Sequence, residues 1–380
     1  MGTVPRRYLG LTFRNVNASQ LPARPVALSN DDLNIVRAEQ EKWFYCAPAS
    51  AAMVTEPLGL SKTQDDIWAE TRPLMQDSAH WYTDPAALGG YLNSAFQASG
   101  GQVNEVFSID WKIVVHQLVR GITHHNLSGA LLVLGGKHWV VCSGARVGFL
   151  DVGRTQAVVS GLFVTDPAVG QTDITFRPLS SATLGSYLLP TKIPGGWKDN
   201  YVAVATTADH FASFDILESD RPIGGAGILT DIELTDLVVG DLQSYGMPSS
   251  ELLGGGGVSV IRVNNLAEKE IFQIVPVDHA GTLTWVVVAA EHLTVQAVTS
   301  SPLPPPPDDA QCLAAAREVA PGHTGTVSPS NYWEDCMQLR TEFEFFRKVE
   351  FAGRNPLYVT NRGRVLDAIT YAPGQGFLAG

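Results

Sequence analysis

The stretch Ala130-Leu-Leu-Val-Leu-Gly-Gly-Lys-His138-Trp-Val-Val-Cys-Ser-Gly144 decides the fold class. Before it, apolar residues recur at helical spacing; within and after it they run continuously or alternate. Ala130 to Leu134 is a short apolar run closed by Gly135 and Gly136, the pattern of a buried strand. His138 to Ser143 reads as a second strand that ends at Gly144. On it, His138, Val140 and Cys142 share one face, and Trp139, Val141 and Ser143 the other. Downstream, residues 147–152, 156–159 and 162–165 read as further strands, the last stopped by Asp166-Pro167. Upstream, Cys46-Ala-Pro-Ala-Ser-Ala-Ala-Met-Val54 starts a helix, with Pro48 in its first turn and strong helix formers after it. Ser61 to Trp68 suggests a second helix. Asp84 and Pro85 supply the N-cap and first position of a third, and residues 113–122 form a fourth. Residues 1–35 read as an irregular lead-in. Helices first and strands later predict an α+β domain with an antiparallel sheet over residues 1–210.

The second half reads as β-rich α+β. Residues 211–301 form one expected unit, with a helix near 234–245, a loop at Gly254 to Gly257, and three strands over 270–300 turning at His279-Ala-Gly281. The run Pro302 to Pro307 reads as a stiff spacer. Residues 308–380 form another expected unit. It has a helix over 308–319, a hairpin over 343–351 and 356–360 turning at Ala352-Gly353, and a strand over 365–370. Ala-Gly recurs at 280–281 and 352–353, and Leu366-Asp-Ala-Ile-Thr370 aligns loosely with Val295-Gln-Ala-Val-Thr299. These correspondences suggest that the third unit duplicates the second.

The chain has 380 residues, of which 45% are hydrophobic and 17% charged, which excludes wholesale disorder. Its 26 basic and 38 acidic residues give a charge of −12, which argues against a nucleic-acid partner. No apolar run reaches the roughly 18 residues a spanning helix needs, so no integral membrane segment is expected. The start, Met1-Gly-Thr-Val-Pro-Arg-Arg7, lacks the apolar core of a secretory signal. The expected location is the cytoplasm, or outside it by a route that uses no such signal. Four cysteines are too few for a disulfide scaffold, so each needs its own explanation.

Three pieces carry candidate chemistry. In Gln40-Glu-Lys-Trp-Phe-Tyr-Cys46-Ala-Pro-Ala-Ser50, a cysteine opens a helix. The helix dipole and first-turn N–H groups favour its thiolate, the form that attacks carbonyls. Gln40 offers a neutral N–H that, with the Cys46 N–H, could hold an oxyanion. The alternative is a cysteine packed as a small hydrophobe. His138, opening an apolar strand, is either a core histidine bonded to backbone or a general base. Asp166 ends an apolar strand face, either as a simple Asp-Pro turn or as the acceptor for a His138 ring N–H. Asp151 is its rival, since it falls opposite His138 if 138–144 and 147–152 pair as a tight hairpin. Trp81 and Trp139 are weaker candidates for lining a substrate cleft. A zinc site from Cys46, His138 and Cys142 lacks a supporting Cys-x-x-Cys or His-x-x-x-His frame, so no metal is assigned.

Together, Gln40…Cys46-Ala-Pro-Ala-Ser, Gly-Gly-Lys-His138-Trp-Val-Val and Phe-Val-Thr-Asp166-Pro resemble the three signature blocks of papain-like cysteine peptidases. The branch most similar is the bacteriocin-leader peptidase type, over roughly residues 35–170. That branch usually has Gly after the nucleophile, where this chain has Ala47, and often Gly-His-Trp, where Lys137 intervenes. The resemblance implies a papain-like domain with Cys46 as nucleophile, His138 as acid and base, Asp166 as its orienting acid, and Gln40 in the oxyanion hole. It implies no cofactor and a peptide or protein substrate. The same triad would serve an acyl transferase or a delivered effector enzyme. A silent papain-like scaffold is the reading from another class. Cys312 and Cys336 receive no role.

Overall fold

The computed structural model describes residues 12–16, 29–76, 82–98, 101–168, 174–206, 211, 213–217, 230–244, 252–254, 259–279, 282–290, 295–334 and 342–369. The architecture is mixed α+β, with seven α-helices among the described residues and large, mostly antiparallel sheets. The chain divides into two compact units. One comprises Met1–Val169, Asp173–Arg221 and Asp241–Met247; the other comprises Gly170–Thr172, Pro222–Gly240 and Pro248–Gly380.

In the first unit the strands are β1 (Thr12–Val16), β2 (Ser29–Asp32), β3 (Val103–Ser108), β4 (Gly129–Val133), β5 (His138–Phe149), β6 (Gln156–Thr165), β7 (Thr175–Pro178), β8 (Tyr201–Thr206) and β9 (Ser213–Leu217). The helices are α1 (Cys46–Thr55), α2 (Gln64–Thr71), α3 (Pro85–Ala98), α4 (Trp111–His125) and α5 (Ser181–Ser186). Two long strands organise the sheet. β5 pairs with β6 on one side; on the other, β4 takes residues 138–142 and β2 takes 144–147. The outer side of β6 is shared in the same way by parallel β9 and antiparallel β7. β8 lies between β3 and β4, and β1 adds in parallel to β9.

Three expectations are corrected here. Residues 1–35 are not wholly irregular, since β1 and β2 both join the sheet. Gly144 does not end the histidine strand, and 156–159 and 162–165 are one strand. The tight hairpin that would set Asp151 opposite His138 is therefore absent. β5 runs on to Phe149, and Asp151 instead caps the following turn, accepting from the Thr155 and Gln156 backbone N–H groups.

Helix starts follow from local chemistry. Asp84 accepts from the Ala87 N–H at 2.9 Å and Pro85 opens α3; Asp110 accepts from the Lys112 N–H at 3.0 Å before α4. Cores lie on both sheet faces. Val140 and Cys142 pack with α4 residues such as Val115 and Leu118, whereas Trp139 and Val141 pack with Ala47, Ala51 and Leu88 of α1 and α3. On β6, a Cβ at Gly161 would lie 2.4 Å from the Phe176 ring and 2.7 Å from the Arg177 carbonyl. Gly161→Ala is expected to cost about 1–3 kcal/mol by overpacking, read as a lower urea midpoint at unchanged slope.

The second unit holds α6 (Asp231–Ser244) as far as Gly240, β10 (Leu252–Gly254), β11 (Ile261–Asn264), β12 (Glu270–His279), β13 (Thr282–Ala289), β14 (Val295–Thr299), α7 (Asp309–Val319), β15 (Gly325–Val327), β16 (Asn331–Tyr332), β17 (Phe346–Phe351), β18 (Arg354–Thr360) and β19 (Val365–Leu366). The β12–β13 and β17–β18 hairpins are linked by parallel pairing of β11 with β16. Residues 280–281, where one turn was expected, and 255–257 of the glycine run lie outside the described residues. The proline run is not a free spacer. Leu303 is buried with Trp285 and Phe345, and the Pro304 and Pro307 carbonyls accept from Asn361 Nδ2 and Arg347 Nη1. Among the described residues, no helix is long and apolar enough to cross a membrane.

Candidate active site

Cys46 is the first residue of α1, in a helix whose Ala47, Ala49, Ser50 and Ala51 are buried. Small side chains let this helix lie close against β5. Buried packing on one side and a turn on the other leave Cys46 itself half-buried. The preceding turn is closed by the Tyr45 N–H donating to the Lys42 carbonyl at 2.9 Å. Its first-turn N–H groups have no intrahelical acceptors and present the positive end of the helix dipole at the thiol.

His138 starts β5 and is 1% exposed. Its Nε2 donates to Asp166 Oδ1 at 2.7 Å, and its ring also hydrogen-bonds the Cys46 thiol. With Nε2 held by the carboxylate, Nδ1 is the ring nitrogen left for Cys46. Burial alone would lower the pKa of His138. The charge and hydrogen bond of Asp166, helped by Cys46, overcome this and raise it to about 9. Asp166 is buried too, which by itself raises its pKa; the His138 charge and hydrogen bond and the Ala168 N–H reverse this and hold it below the usual carboxylate range. The Ala168 N–H donates to the same Oδ1 at 2.8 Å.

Among the sequence candidates, then, Cys46, His138 and Asp166 come together and Asp151 does not. Gln40 lies in the loop before Cys46, but both Nε2 hydrogens donate to main-chain carbonyls, Lys42 at 3.1 Å and Trp43 at 3.0 Å. That geometry shapes the loop rather than offering a hydrogen to an oxyanion. Trp139 is not a cleft residue. It is 2% exposed, packed in the core, and its Nε1 donates to the Thr83 carbonyl at 3.1 Å. Trp81 lies outside the described residues. Cys142 is buried, its thiol donates weakly to the Gly144 carbonyl, and burial raises its pKa to about 12.

Two features near the site had no sequence signal. Tyr45 OH donates to Asp65 Oδ1 at 2.5 Å and accepts from Lys42 Nζ at 2.8 Å, tying the loop before Cys46 to α2. Arg37 donates through Nε to the Asp166 carbonyl at 2.8 Å and through Nη2 to the Ala168 carbonyl. Asp65 is 20 residues from Tyr45, and the Arg37 partners are more distant still and are backbone atoms. No family model matches the chain, and no curated protein matches it.

Proposed function

We propose that the first unit is a papain-like thiol peptidase of the bacteriocin-leader peptidase type, cleaving a peptide or isopeptide bond. One observation carries this reading: a half-buried cysteine at a helix N-terminus hydrogen-bonds a histidine whose other nitrogen is held by a buried carboxylate. His138 Nδ1 takes the Cys46 proton, and the thiolate attacks the substrate carbonyl carbon. The C–N bond breaks as the imidazolium gives its proton to the leaving amine, leaving a thioester on Cys46. Water, deprotonated by His138, then releases the acid and the free thiol. Asp166 fixes the tautomer and stabilises imidazolium. The Cys46 N–H serves the oxyanion, with Gln40 setting the loop that presents it. An amine in place of water would make the same site an acyl transferase.

The test is alkylation by iodoacetamide near pH 7, read by mass spectrometry. Cys46 is expected to react at least about 100-fold faster than Cys142 and Cys312, because both of those thiols have pKa values raised by burial. A Cys46 rate no greater than that of the unfolded chain would overturn the reading.

A further inference from the structure

All three carbonyls of the turn that carries the acid are held by one short segment. Arg37 Nε donates to the Asp166 carbonyl at 2.8 Å, the Gln40 N–H donates to the Pro167 carbonyl at 2.7 Å, and Arg37 Nη2 donates to the Ala168 carbonyl. The Arg37 side chain is 15% exposed, and Glu39 Oε2 lies 3.5 Å from its Nη1. The turn matters because it bends the Ala168 N–H back onto Asp166 Oδ1, the same oxygen that receives His138 Nε2. A guanidinium is suited to this position. Its fork is planar and rigid, so two carbonyls two residues apart are held at a fixed separation, which a lysine ammonium cannot do.

The geometry points to Arg37 as a positioning residue: its guanidinium locks the Asp166-Pro167-Ala168 turn and thereby aims the Asp166 carboxylate at His138. This role rests on the proposed peptidase reading only where turnover is concerned; the clamp itself acts on the His138–Asp166 pair. The segment also joins the two halves of the site. Gln40, which holds Pro167 through its backbone, holds Lys42 and Trp43 through its side chain, three to four residues before Cys46. The acid's turn and the nucleophile's loop are thus hung on the same four residues.

Among the described residues, the charged and titratable groups facing the pair include Cys46 from α1, Arg177 from β7, and Arg37 itself. Removing the Arg37 charge would by itself raise the His138 value, so a fall reports the clamp.

The test is a titration of His138 by NMR in the full chain with Cε1-labelled histidine, assigned with His138→Gln. In the unsubstituted protein His138 is expected to titrate well above its ordinary value, at about 9. In Arg37→Ala it is expected below about 8, as the carboxylate loses its aim and burial reasserts itself. Arg37→Lys, which reaches one carbonyl at a time, is expected between the two. If Arg37→Ala fails to fold by circular dichroism, Arg37→Lys decides. The same value in the variant as in the unsubstituted protein overturns the role. In hydrolysis, kcat is expected to fall about 10-fold or more with KM within about twofold, the split of a group that acts on the transition state. Failure of the peptidase reading is seen separately, as an unsubstituted protein that neither hydrolyses peptides nor alkylates selectively at Cys46, while the titration still reports on Arg37.

Discussion

Cys46→Ala is expected to lower kcat/KM for peptide hydrolysis by at least about 10,000-fold, the scale seen when a nucleophile that acts as one unit with its base is removed. The fold should tolerate the change. Cys46 is half-buried at a helix start, Ala is the best helix former, and the side chains that pack α1 into the core are its neighbours. An unchanged thermal midpoint would therefore accompany the loss. The double variant with His138→Gln carries the sharper test. His138 serves only steps that run through Cys46, activating it, protonating its leaving group and deprotonating the water that frees it, so removing both should cost no more than removing one. Independent, additive losses would mean that the two residues do not share a reaction. Undiminished activity in Cys46→Ala would end the mechanism outright.

Asp166→Asn is expected to lower kcat by something on the order of 100- to 10,000-fold. Asn can still accept the Ala168 N–H, so the turn survives. What it cannot do is stabilise imidazolium, because its Oδ1, although still able to accept the Nε2 hydrogen, carries no full negative charge. The pH dependence follows from the same bond. His138 stays protonated up to about 9 because Asp166 outweighs the effect of burial. The alkaline limb of kcat/KM is thus expected near 9, and lower in the variant.

Stability must follow with a definite sign. The folded value for His138 lies above its ordinary 6.5, so its contribution is complete below 6.5 and disappears as pH rises through about 9. Asp166 is shifted the other way, so its contribution is present above 3.8 and disappears as pH falls through its lowered value. Urea midpoints should decline in both windows for the unsubstituted protein and be flatter for Asp166→Asn. Equal slopes in the two proteins would contradict the coupling.

Much of the first unit was legible because its signals are local. Asp84, Pro85 and the alanine run after Cys46 specify helix starts from within a few residues. Strand ends were misread where a glycine serves a distant neighbour. A Cβ at Gly144 would lie 2.8 Å from the Asp31 carbonyl, more than a hundred residues away, so the glycine admits β2 rather than ending β5. Short polar strands such as Ser29–Asp32 carry no apolar alternation and were invisible for that reason. Alternation separated the two faces of the histidine strand but did not show that helices cover both, and Trp139 was misplaced accordingly. At the site, residue type and local context pointed to Cys46, His138 and Asp166. Arg37 could not be found that way. Its partners are carbonyls, which every residue has.

The place of β8 between β3 and β4 bears on when the proposed site is assembled. Cys46, His138 and Asp166 have all been made before residues 201–206 are added, yet β4, which flanks the histidine strand, has an open edge until those residues insert. Contacts of such long sequence separation form late, because the chain must close a large loop before it gains anything from them. A growing polypeptide therefore carries all three residues of the proposed triad in an unassembled form. Residues 201–206 close the β4 edge and residues 213–217 then pair with β6 and β1, so the connectivity finishes the sheet only after all three residues have been made.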